Sequence, residues 1–161
     1  MRAEMESARL AQAAEGMEAA GEAQSDHAPL SGGLPNFDPR QRAALRVLGR
    51  GLMTAGQYTQ ARVVFTALLH LDPAHTGDLA AAGEAFQAEG QPAQAASLLQ
   101  VCVLLGGTAP DVAVRLAECH LALGNLPAAQ VALDLAEEYA TRADDSVTLS
   151  RIAIMRNGMA A

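Results

Sequence analysis

Apolar and small side chains recur along this chain in columns. In residues 42–75, Leu45, Leu48, Gly49 and Leu52 fall at steps of three, one and three, which predicts one helix face packed on a second helix bearing Tyr58, Ala61, Phe65 and Leu68. Residues 76–109 repeat the pattern with Ala82, Gly83 and Phe86, then Ala95, Leu99 and Cys102. Residues 110–143 repeat it again with Leu116, Ala117 and His120, then Ala129, Leu133 and Ala136. Gly56, Gly90 and Gly124 mark the turns at equal steps of 34 residues. Pro73 cannot continue a helix interior and should enforce the turn into the second unit. Thr108 and Asp111 read as a capping-box variant before the third. The expectation is an all-α architecture of three tandem helix-turn-helix units. A last segment, 144–157, has Val147, Ile152, Ile154 and Met155 as apolar content and Asn157-Gly158 as a helix stop, and should cap the apolar face of its neighbour.

Ahead of the repeats the pattern thins. Residues 1–22 are rich in Ala, Glu and Gln, with only Met5, Leu10 and Met17 as a sparse stripe, which fits a loosely held helix. A solvated tail and a homodimerisation helix both remain open for it. Pro29, Gly32, Gly33 and Pro35 then break any regular element, so residues 23–37 read as a linker. Asp38 and Pro39 look like an N-cap and a first helical residue, opening a repeat domain over residues 38–161.

Composition narrows the function. Half of the 161 residues are hydrophobic but only 3% are aromatic, so the core must come from Ala, Leu and Val. A net charge of −7 argues against nucleic acid, which calls for clustered cations on a basic surface. All the cationic side chains are arginine. Glu4, Glu6 and Glu15 occupy the place of a signal's apolar core, and no stretch suits a bilayer, so the expected location is the cytoplasm, away from membranes. Cys102 and Cys119 form no CxxC or metal spacing and read as small packing residues. Neither they nor His27, His70, His75 and His120 have partners at a catalytic spacing, so no enzyme, cofactor or metal is expected. His120 stands in the aromatic column and reads as a core histidine.

The unit Leu48-Gly49, Gly56, Tyr58, Ala61, Phe65 and Pro73 resembles the tetratricopeptide pattern. More narrowly, AGQYTQARVVFTALLHLD (55–72) and RLAECHLALGNLPAAQVALDLAEE (115–138), within three repeats behind an N-terminal segment, look like the class II chaperones of bacterial type III secretion systems. That resemblance implies a right-handed superhelical stack and a cytoplasmic chaperone. It also implies that the concave groove holds an extended hydrophobic segment of a secreted translocator, keeping it soluble before export. The alternatives are a co-chaperone for a needle or export-apparatus subunit, and a general tetratricopeptide scaffold for structured partners.

On this mapping the groove is lined by first-helix residues at steps of three, four and three. They are Ala43, Arg46, Arg50 and Met53, then Gly77, Ala80, Glu84 and Gln87, then Asp111, Val114, Glu118 and Leu121. Arg50 should pair with Glu84, leaving Glu84 and Glu118 opposed unless a client cation sits between them. Arg42, Arg46 and Arg50 form a basic stripe in the first repeat, where four arginines face one aspartate, for a net +3. The family's first repeat commonly presents aromatic residues where Arg46 and Arg50 stand here. Two further readings concern adaptable surfaces: the methionines, of which Met53 alone lies in the mapped groove, and PLSGGLP (29–35), which is either a plain connector or an occupant of the empty groove.

Overall fold

The structure, a computed structural model, describes residues 37–159. The expectations for residues 1–22 and for PLSGGLP lie outside that range. Seven helices follow one another: α1 (Pro39–Thr54), α2 (Tyr58–Leu71), α3 (Thr76–Ala88), α4 (Pro92–Leu104), α5 (Pro110–Ala122), α6 (Leu126–Arg142) and α7 (Ser146–Met159). There is no strand among the described residues. Each helix packs on the next, and the odd-numbered helices also touch one another in sequence, α1 on α3, α3 on α5 and α5 on α7. The even-numbered helices make no such mutual contact. The stack therefore curves with α1, α3, α5 and α7 on its inner side.

Local chemistry explains most boundaries. Asp38 caps α1 by accepting from Arg40 and Gln41 backbone N–H groups, while the Gln41 side chain accepts from Asp38 N–H, closing a reciprocal capping box. α2 stops at Leu71, just before Pro73. Gly56, Gly90 and Gly124 all adopt left-handed backbone, φ +72°, +73° and +71°, which is why the turn column is glycine. Two expected signals are not used. The N-cap of α5 is Ala109, one residue past Thr108, and its methyl side chain has no oxygen to accept from the first-turn N–H groups. α7 runs through Asn157-Gly158 to Met159.

The packing columns mostly hold. Gly49 and Gly83 let α1 and α3 approach their partner helices so closely that an added Cβ would lie 2.7 Å from Phe65 Cζ and 2.8 Å from Leu99 Cγ respectively. The third member of this column, Ala117, is fully buried. Leu116, Leu133, Ala136 and Ile152 join the main core, and Cys102 and Cys119 are buried free thiols. The exceptions sit at the ends. Leu48, expected on the packing face, is 53% exposed, whereas Ala82 and Leu116 in the same column are buried. Those two pack against a preceding helix pair, which α1 lacks among the described residues. Val147 and Ile154 of α7 are likewise exposed, with no further helix packed over them among the described residues.

Candidate functional site

On the inner side, the end of α1 (Met53, Thr54), the start of α2 (Tyr58), α3 (Glu84, Gln87) and α5 (Arg115) enclose a recess of about 390 Å³. Three residues mapped from the sequence, Met53, Glu84 and Gln87, meet there. Tyr58 and Arg115 were not among the mapped positions. Tyr58 counted as a packing residue of α2, yet the helix begins at it and leaves the ring at the recess edge. Arg115 lies one step off the counted column, and only its reach across helices reveals its place.

The polar groups of this face are bonded to one another. Arg46 of α1 forks onto Asp78 of α3, with Nε donating to Oδ1 at 2.8 Å and Nη2 to Oδ2 at 2.7 Å. Asp78 is 1% exposed, and such a carboxylate is tolerated in a core only when paired in this way. The Asp78 hydrogen bond raises the Arg46 pKa further above its usual value. His75 caps α3 by accepting from the Asp78 backbone N–H at 3.1 Å. Farther along, Arg115 Nη2 donates to Glu84 Oε1 and its Nε to Asp111 Oδ2, both at 2.9 Å. Burial lowers the Arg115 pKa, but the Asp111 hydrogen bond and the charges of Asp111, Glu84 and Glu118 outweigh it, so the net shift is upward. Gln87 Nε2 donates to Glu118 Oε2 at 2.9 Å, and Arg151 of α7 donates to Glu118 Oε1. The result is a belt across three odd helices, Glu84–Arg115–Asp111 and Gln87–Glu118–Arg151.

This belt corrects the expected electrostatics. Arg50 is exposed and makes no ion pair among the described residues, while Glu84 pairs with Arg115 instead. Glu84 and Glu118 need no cation from outside, because Arg115 and Arg151 serve them. The sequence count missed this because it followed one residue per turn, whereas a guanidinium on a three-methylene stem bridges to the next helix. The other mapped positions divide by burial. Ala43 and Asp111 are exposed, Ala80 and Leu121 half-buried, and Gly77 exposed beside the His75 ring. Val114 is fully buried in the core, so its side chain does not reach the inner surface.

No group of three His, Cys, Asp or Glu residues able to hold a metal occurs among the described residues. Burial, with the Glu118 charge, pushes the Cys119 thiol up to about 11, which keeps it protonated and unreactive at neutral pH. Among the described residues no helix is long and apolar enough to cross a membrane.

A tetratricopeptide-repeat family model matches residues 86–146. None of the curated proteins matches the sequence. Solved structures do. PcrH from Pseudomonas aeruginosa is 25% identical with a TM-score of 0.72, over 78% of this chain and 96% of that one. PcrH in complex with the chaperone binding region of PopB is 26% identical with a TM-score of 0.70, over 74% and 97%. The type III secretion translocator chaperone SycD of Yersinia enterocolitica is 25% identical with a TM-score of 0.69, over 75% and 91%. Residues 86–146 thus match the tetratricopeptide-repeat family, and the all-helical fold is similar to that of the type III secretion translocator chaperones PcrH and SycD.

Proposed function

We propose that the inner face binds an extended, apolar segment of a secreted translocator and keeps that client soluble in the bacterial cytoplasm before export. The observation that supports this most is the recess bounded by Met53, Tyr58, Glu84, Gln87 and Arg115, which opens on the side where successive odd helices meet. PcrH has been crystallised with the chaperone binding regions of PopB and of PopD, and similarity to those structures spans about three quarters of this chain. The role is binding, with no chemical step.

Physically, the belt matters because its carboxylates and guanidiniums already satisfy one another. A client segment then need not supply charges, and Met53 and Leu121 offer apolar contact while Tyr58, Thr54 and Gln87 remain able to bond its backbone. Ordering that segment costs part of the gross interaction energy, so a pre-bonded face favours affinity. Co-expression with the translocators of the same secretion system tests the reading. The full chain should hold one of them in the soluble fraction, and Met53→Glu or Ala80→Arg should return it to the pellet while the variant keeps its helical circular dichroism. A client that stays soluble with both folded variants would sink the proposal.

A further inference from the structure

Every aspartate, glutamate and arginine of α3 and α5 has a partner of opposite sign. Asp78 is taken by Arg46, Glu84 by Arg115, Asp111 by Arg115 and Arg151, and Glu118 by Arg151. Arg50 stands outside this set, exposed and without an ion pair among the described residues. One and two repeats on, the same column holds Glu84 and Glu118, so Arg50 reverses the sign of the column. α3, the odd-numbered helix in contact with α1, has two acids, Asp78 and Glu84, and both are already committed. The recess begins one turn beyond Arg50. Met53 and Thr54, three and four residues after it and so its neighbours on the helix surface, line the recess, as does Glu84, its counterpart one repeat on. Arg40 and Arg42 are also without ion pairs among the described residues, but they lie more than two turns farther from the recess. Charge is unevenly spread along the groove as well. α1 carries four arginines and no acid, whereas residues 55–159 hold five arginines and eleven acids. In the belt, Glu84, Asp111 and Glu118 share the two guanidiniums of Arg115 and Arg151. The groove thus has a cationic end at α1 and a slight anionic surplus toward α5 and α7.

We infer that Arg50 is a specificity-determining residue of the inner groove, selecting extended client segments that carry an aspartate or glutamate on one side of the residue seated in the recess. This rests on the client-binding reading above and names the charge that a preferred client brings. The belt asks no charge of a client, because its members serve one another. Arg50 favours one carboxylate, and only at the α1 end, where its planar guanidinium is free to take both oxygens. A segment laid the other way round would bring that carboxylate to the side where acids already outnumber guanidiniums, so the same charge fixes the direction of the segment. A single exposed ion pair adds little affinity, so its effect is a choice between segments and between orientations.

The test starts from the tightest binder of the full chain in a library of capped, uncharged peptides and replaces each of its positions in turn by Asp, Asn and Lys. Toward one end of the peptide Asp should bind about two- to fivefold tighter than Asn, with Lys weaker still, and toward the other end Asp should gain nothing. The gain should vanish near 1 M salt, where the screening length is about 3 Å. Arg50→Gln should abolish it and Arg50→Glu should transfer it to Lys, both with an unchanged melting temperature because the site is exposed. Arg40→Gln should leave it intact. An Asp gain that survives Arg50→Gln, or no gain at any position, overturns the inference and leaves the client reading standing. A library that yields no binder sinks both. Tighter binding by a free peptide carboxyl terminus than by any internal Asp would give Arg50 to a chain end. A gain that appears only after the six acids of residues 1–26 are changed to amides would give it to this chain's own acids, and either result overturns the inference.

Discussion

Around α1 and α2 the fully buried apolar side chains are Ala61, Phe65 and Leu68, joined by Ala82 of α3, whereas α3 to α7 share a cluster of sixteen buried residues. α1 itself buries only Gly49 and exposes Val47 and Leu48. What ties it to α3 is the Arg46–Asp78 fork, and what ties α2 to α3 includes Arg62 over Phe86 and beside Glu89. One 34-residue pattern is thus stabilised by aliphatic burial in its later copies and more by directed ionic bonds in its first. A repeat stack draws its stability from neighbour interfaces, and the first copy, with one such interface among the described residues, adds ionic bonds to it.

The contrast can be broken from either side. Leu133→Ala, at a fully buried site, should cost about 2–5 kcal/mol and lower the main unfolding transition in urea. Asp78→Ala should cost about 3 kcal/mol, the low end for a broken buried pair because Arg46 still reaches water. Its loss should be local, with hydrogen exchange accelerating in α1 and α2 while α5 and α6 stay protected. Equal acceleration everywhere would mean that the first pair is no separate unit. Gly83→Ala should cost about 1–3 kcal/mol, because its new Cβ meets Leu99. Gly51→Ala meets nothing within 4 Å and should stabilise α1 by about 0.5–1 kcal/mol, raising the first transition alone.

The smallest effect at neutral pH concerns the thiols. Cys119 has its folded pKa raised to about 11, so its contribution is complete below the unfolded value of about 8.5 and is lost as pH rises toward 11. Stability should be flat through neutrality and fall on the alkaline side. At pH 8, iodoacetamide should label Cys102 and Cys119 only as fast as the sixteen-residue core opens. Fast labelling without unfolding would contradict the burial.

Periodicity made the fold legible, because glycine turns and small packing columns are local requirements that repeat wherever the same interface repeats. It failed at Leu48, Val147 and Ile154, where the pattern is present but the described residues include no neighbour that gives it meaning. The inner face was legible by position and much less by chemistry. Counting turns placed Met53, Glu84 and Gln87 in one recess, yet it could not see that Arg115 and Arg151 would neutralise the acids, since bonds between helices depend on side-chain reach. His120 shows the reverse case. Its departure from the aromatic column was visible in the sequence, and only the structure showed that its Nδ1 is buried without a hydrogen-bond partner.

The arginine-only basic composition gives the asymmetry a proteolytic reading. With no lysine in the chain, trypsin can cut only after arginine, and residues 63–114 contain none. Five of the nine described sites, Arg40, Arg42, Arg46, Arg50 and Arg62, lie in the thinly cored first pair. The four beyond, Arg115, Arg142, Arg151 and Arg156, are all held in ion pairs. Cleavage needs a locally opened backbone, so limited digestion should clip α1 first and leave one long fragment starting in or just after the first pair. Its size would report directly where the ionic end of the stack gives way to the aliphatic one.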